Sequence, residues 1–152
     1  MQSKIQIRKF QQQDLNQVAH LFDAYRQFYQ ERTDINLALR YISERVVNKE
    51  STIFVAEDDQ GVLVGFCQLY PTFCSVAAQP IYVLYDLFVA PAARGKGVAR
   101  QLLDAAVVCG KENRKARLDL STAKTNLTAQ ALYEANGWVR DHEFFTYSYS
   151  LE

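Results

Sequence analysis

The chain has 152 residues, which suits one domain and leaves too little material for two ordinary cores. Apolar residues at 49% and charged residues at 22% exclude a disordered or fibrous chain. Lys and Arg number 17 against 17 Asp and Glu, so no overall field gathers a nucleic acid backbone or an anionic membrane, and any hold on an anion has to be local.

"KIQIRKF" alternates from Lys4 to Phe10 and reads as a first strand. Asp14 is placed to cap the helix after it, whose Leu15, Val18, Phe22, Tyr25 and Tyr29 recur on one face. A second helix begins near Asp34, with Ala38, Tyr41, Ile42, Arg45 and Val46 inward. "STIFVAEDDQGVLVGFCQLY" reads as an antiparallel hairpin turning at Asp59 to Gly61, and residues 75 to 80 read as a loop. "IYVLYDLFV" is the best buried strand, and a helix from about Lys96 to Gly110 follows it. "ARLDLST" supplies the next strand, "TAQALYEANGW" a short helix stopped at Asn136 and Gly137, and "EFFTYSYSL" a closing strand. One parallel crossover between residues 81 and 121 makes the sheet mixed. The fold class is therefore α/β (α+β mixed), a single domain over residues 1–152 with helices on both faces of one sheet.

Cys67, Cys74 and Cys109 form no CxxC pair and suit a reducing compartment, so a cytoplasmic protein is expected. "MQSKIQIRKF" lacks the apolar core of a signal peptide, and no apolar run approaches the roughly 18 residues of a membrane span. His20 reads as a surface or boundary residue and His142 as a loop residue; with no cysteine pair near either, no metal site is expected.

Gly95 and Gly97 stand between a strand and a helix, where backbone N–H groups and the helix dipole receive an anion and Arg94 and Lys96 add charge. A phosphate or pyrophosphate is the natural guest, against the plainer reading of a tight turn with a solvated basic rim. A P-loop fails because Val98 follows Gly97 where Lys and Ser or Thr are needed, and a dinucleotide fingerprint fails at Arg100.

"VAPAARGKGVARQLL" followed by "TNLTAQALYEANGW" resembles the GCN5-related N-acetyltransferase (GNAT) superfamily. The family's Arg or Gln, Gly and Gly or Ala pattern maps onto Arg94, Gly97 and Ala99, and its later Asn, Ala and Tyr onto Asn126, Ala129 and Tyr133. The element order agrees from Lys4 to Leu151. This resemblance implies a central, splayed sheet and an acetyl coenzyme A site. It places the pyrophosphate on the backbone of Arg94, Gly95, Lys96, Gly97, Val98 and Ala99, and the pantetheine arm along Leu87, Phe88 and Val89, with Asn126 touching the arm or its adjoining phosphate. The implied reaction is direct attack of a neutral primary amine on the thioester through a tetrahedral intermediate, with Tyr133 as the acid for the leaving thiolate.

The general base stays open. The usual acidic positions of the polyamine acetyltransferases that the chain partly resembles fall on Val83 and Tyr85, and strand parity turns Asp86 away from the face of Tyr85 unless a bulge intervenes. A water chain, Tyr85 as relay, Glu31 and a substrate already deprotonated are the alternatives. Tyr25, Tyr29, Glu31, Asp34 and Tyr85 are expected around a small cationic amine. A peptide or protein N-acetyltransferase and a non-catalytic acyl coenzyme A binding protein are the competing readings. The edge-forming "FFTYSYSL" points to a homodimer.

Overall fold

Alternation in the strands and three-to-four spacing in the helices translate directly into elements over residues 4–152, which the computed structural model describes. In chain order they are β1 (Gln6–Lys9), α1 (Leu15–Phe28), α2 (Ile35–Val47), β2 (Thr52–Glu57), β3 (Leu63–Cys74), β4 (Gln79–Val89), α3 (Val98–Glu112), β5 (Leu118–Asp119) and α4 (Leu127–Ala135). The sheet runs β1-β2-β3-β4-β5, antiparallel except for the parallel pair β4 and β5. The chain divides into two compact units, Met1–Ser121 and Thr122–Glu152.

The first unit holds the sheet, and strand parity sorts its two faces. Phe66 and Phe88 pair across β3 and β4 and join Val18, Phe22, Ala38 and Ile42 of α1 and α2 in one apolar cluster. Cys67, one residue on, points the other way, its thiol 3.9 Å from the Leu102 carbonyl of α3. Helices therefore cover both faces, as the mixed pattern demands. Burial pushes the Cys67 thiol up to about 12, which leaves it an inert core group.

Three sequence expectations change. Asp14 does not cap α1; its buried carboxylate accepts from the Gln11 backbone N–H at 2.7 Å and from Arg8 at 2.8 and 2.9 Å, because a guanidinium is the stronger partner. The expected loop at 75 to 80 shrinks to a turn, since β3 continues to Cys74 and β4 begins at Gln79. "EFFTYSYSL" forms no strand: residues 144–151 lack regular structure, and Phe144, Phe145, Tyr147, Tyr149 and Leu151 are 77% to 93% exposed. Alternation gives a segment the capacity to pair, but a strand exists only once another edge supplies its hydrogen bonds.

In the second unit, Asn126 caps α4 by accepting from the Ala129 N–H at 3.1 Å, and Gly137 at φ 87° follows the helix end. No helix among the described residues is long and apolar enough to cross a membrane.

Candidate active site

The sheet opens at β4. Beyond Tyr82–Leu118 and Val83–Asp119, β5 provides no further partner, so Leu84 to Val89 run on with one edge of β4 unpaired by β5. The chain then turns through a short 3-10 segment, Pro91–Ala93, pinned by buried Ala93, and reaches α3 through Gly95 and Gly97. Both glycines are left-handed, at φ 76° and 80°, and a Cβ at either position would meet nothing within 4 Å. Backbone conformation, not crowding, calls for glycine here, and the space in front is open.

Amide groups of Val98, Ala99 and Arg100 precede the first intrahelical bond of α3, from Gln101 to the Gly97 carbonyl at 3.1 Å. They point out of the N-terminus with the dipole behind them. Val98, Leu102, Leu103 and Ala106 are buried and fix that helix. Arg94 turns back on the strand, donating from Nε to the Val89 carbonyl at 2.8 Å with its guanidinium 5.4 Å from the Phe88 ring. Lys96 lies 3.4 Å from the Ala92 carbonyl. Both cations thus stay beside the loop, and the donor set is that of an anion seat.

A second constellation lies further down β4. Gln68 pairs with Asp86 but Leu69 pairs with Leu84, so Tyr85 is an extra residue opposite one step of β3. This is the bulge that strand parity required. Alternation sets Asp86 on the α1 side with Phe88, and the bulge brings the ring of Tyr85, which is 66% exposed, to 5.7 Å from that of Tyr70. Asp86 is 3% exposed and accepts from Gln68 Nε2 at 2.5 Å. Tyr25 stands against the same carboxylate and donates its hydroxyl to the Tyr85 carbonyl at 3.0 Å.

Burial raises the Asp86 carboxyl to about 6, with bonds from Gln68 and Tyr25 opposing the rise. Tyr25, Tyr29 and Tyr70 are pushed up in turn, first by burial, and the charge of Asp86 adds to each. Among the expected acceptor residues, Tyr25, Tyr29 and Tyr85 thus meet around a carboxylate, Tyr25 and Tyr29 in edge contact at 5.1 Å.

Glu31 and Asp34 have other partners. Glu31 lies 3.7 Å from Arg26, and Asp34 caps α2 by accepting from the Leu37 N–H at 3.0 Å. Buried Asp23 holds this connection, accepting from Thr33 Oγ1 at 2.6 Å, the Asp34 N–H at 2.8 Å and Gln27 at 3.1 Å. Burial pushes its carboxyl up, but those donors outweigh burial and hold it below the usual range.

Asp86 and Gln68 were the residues that sequence reasoning underweighted. The available signal was one polar residue in each of two otherwise apolar strand segments, "GFCQLY" and "LYDLF". In the second unit, Tyr133 lies on α4 with its ring 6.1 Å from Trp138, and its carbonyl accepts from the Asn136 and Trp138 N–H groups at 3.0 Å. Among the described residues, no group of three His, Cys, Asp or Glu could hold a metal ion.

The mixed sheet thus opens at the parallel pair β4 and β5 that ends it, with two left-handed glycines and a helix N-terminus at the opening, an arrangement consistent with the family match that follows. The acetyltransferase (GNAT) family model matches residues 15–138, and the chain belongs to that family. It is an N-acetyltransferase. An uncharacterized N-acetyltransferase of Bacillus subtilis (strain 168), YhfO, is 43% identical over 141 residues, spanning 93% of this chain and 94% of that protein. A crystal structure of a probable acetyltransferase superposes with a TM-score of 0.90 at 34% identity, covering 97% of this chain and 98% of the other. The aminoglycoside N-acetyltransferase AAC(6')-Iy, solved in complex with CoA, shares the fold at a TM-score of 0.81 and 22% identity, over 98% and 97% of the two chains.

Proposed function

We propose that the protein transfers the acetyl group of acetyl coenzyme A to the primary amine of a small cationic molecule, with Asp86 as the base. The observation that carries this reading is the buried Asp86 carboxylate beside Tyr25, Tyr29, Tyr70 and Tyr85, on the strand that leads to the anion seat. Aromatic faces and one carboxylate suit an ammonium group, and a carboxyl raised to about 6 is ionised, yet basic enough to take a proton, at neutral pH.

The groups present fit the acyl donor. Backbone of Arg94, Gly95, Lys96, Gly97, Val98 and Ala99 would take its pyrophosphate, and the open edge at Leu87, Phe88 and Val89 its amide-rich arm. The donor supplies a thioester acyl group. Asp86 accepts the ammonium proton and the freed lone pair attacks the thioester carbonyl; as the tetrahedral intermediate collapses, the C–S bond breaks and the nitrogen gives its second proton to solvent. Tyr133 gives the departing sulfur its proton, and Asn126 contributes to holding the arm, both roles carried by the family motif. The three free thiols support a cytoplasmic setting.

Two measurements test this. Calorimetry should show acetyl coenzyme A binding weakened in Gly97→Ala, whose added methyl meets no protein atom within 4 Å, so that altered backbone at the seat is what the loss reports. Incubation with acetyl coenzyme A and a library of polyamines, amino acids, aminoglycosides and short peptides should release thiol and acetylate small amines. Acetylation confined to peptides would replace the acceptor class, and binding without turnover on any amine would leave a coenzyme-binding protein.

We further propose a homodimer, supported by the exposed alternating residues Phe144, Phe145, Tyr147, Tyr149 and Leu151. Light scattering at micromolar concentration should give twice the chain mass of 17.4 kDa; a monomer mass rejects it.

A further inference from the structure

A fully buried glutamine is costly unless both ends of its amide are bonded, and Gln68 is 0% exposed with both ends bonded. Ser51, immediately before β2, donates from Oγ to Gln68 Oε1 at 2.7 Å. Gln68 in turn presents Nε2 to Asp86 Oδ2 at 2.5 Å. The hydroxyl polarises the amide in the sense that strengthens its donation, and a donor facing a carboxylate favours the ionised form. Reversed, the amide would set Oε1 against Asp86, an arrangement that suits only a protonated acid.

Register makes the chain of contacts possible. Gln68 lies directly opposite Asp86 on one side and Ile53 on the other, so Ser51 and Asp86 flank it from the two neighbouring strands. Direct pairing sets Asp86 on the same side of the sheet as Gln68, and the bulge at Tyr85 comes one step beyond this pair.

We propose that Gln68, held in one orientation by Ser51, is the positioning residue that keeps the buried Asp86 carboxylate ionised and aimed at the acceptor amine. The inference rests on Asp86 being the base and assigns the second strand that serves it. Groups around Asp86 are Tyr25 of α1 and Tyr29 just past its end, Tyr85 of β4, and Cys67 and Tyr70 of β3, with Tyr41 and Arg45 of α2 behind Tyr70. Burial pushes Tyr25, Tyr29, Tyr70 and Cys67 upward, away from the acid range in which Asp86 titrates.

The test measures the Asp86 carboxyl directly, by carbon-13 NMR titration of the full chain, alongside the pH profile of kcat/KM. Gln68→Leu should raise the Asp86 midpoint by about one pH unit, because the largest donor to its carboxylate is gone while burial remains. The acid limb of the rate profile should move with it, and the KM for acetyl coenzyme A should not. Ser51→Ala, at a part-buried site that tolerates loss of a hydroxyl, should move the midpoint the same way by less, and Ser51→Thr should restore it. A midpoint unmoved in both Gln68→Leu and Ser51→Ala overturns the proposal, and the serine variant still decides it if Gln68→Leu does not fold. A midpoint that moves while the rate profile stays fixed supports the hold of Gln68 on the carboxylate and overturns the assignment of Asp86 as base.

Discussion

Asp86→Asn should lower kcat/KM at pH 8 by about 10²- to 10⁴-fold, the range for loss of a positioned base, while acetyl coenzyme A still binds. In the wild type, activity should fall below a midpoint near 6, where the buried carboxylate takes up its proton; the variant should lack that limb. Stability should change in the opposite direction. The folded carboxyl is raised from 3.8 to about 6, so the folded state binds more protons between those values and loses stability as pH rises through them. Ionised Asp86 therefore costs the fold up to about 3 kcal/mol above that window. Thermal unfolding should show Asp86→Asn more stable than wild type at pH 8 and nearly equal to it near pH 4. Wild-type turnover in the variant would sink the base; a variant less stable than wild type at pH 8 would show that the carboxylate is not strained by burial.

Tyr133→Phe should reduce kcat by roughly 10²-fold, with the coenzyme dissociation constant little changed, because only the hydroxyl that protonates the leaving sulfur is removed. Packing against Trp138, with ring centroids 6.1 Å apart, is kept by phenylalanine, and thermal unfolding of the variant separates a loss of chemistry from a loss of fold. Single-turnover kinetics separates the acyl-transfer step from product release. An undiminished single-turnover rate across the pH range would return Tyr133 to the packing tyrosines, and a raised coenzyme dissociation constant with unchanged turnover would make it a binding residue.

The anion seat was legible in the sequence because its chemistry is local. Two glycines at left-handed φ, two cations and a helix start all fall between Arg94 and Val98, and spacing alone fixes how backbone N–H groups emerge from a helix end. The helices of the first unit were legible for a similar reason, since periodicity states which side of α1, α2 and α3 turns inward. Asp86 was different. Parity along β4 separates it from Tyr85 unless a bulge intervenes, and only the pairing of Gln68 with Asp86 and of Leu69 with Leu84 places that bulge. Glu31 and Asp34 are expected beside the acceptor from the chain alone, and only the fold gives them partners, Arg26 for one and the N-terminus of α2 for the other. The closing segment erred in the other direction: alternation from Phe145 to Leu151 states a capacity for pairing, but no edge among the described residues supplies it. Local backbone chemistry is written in consecutive residues. The environment of a buried carboxylate is set by register across strands and by the burial that tertiary packing imposes, and those belong to the folded molecule.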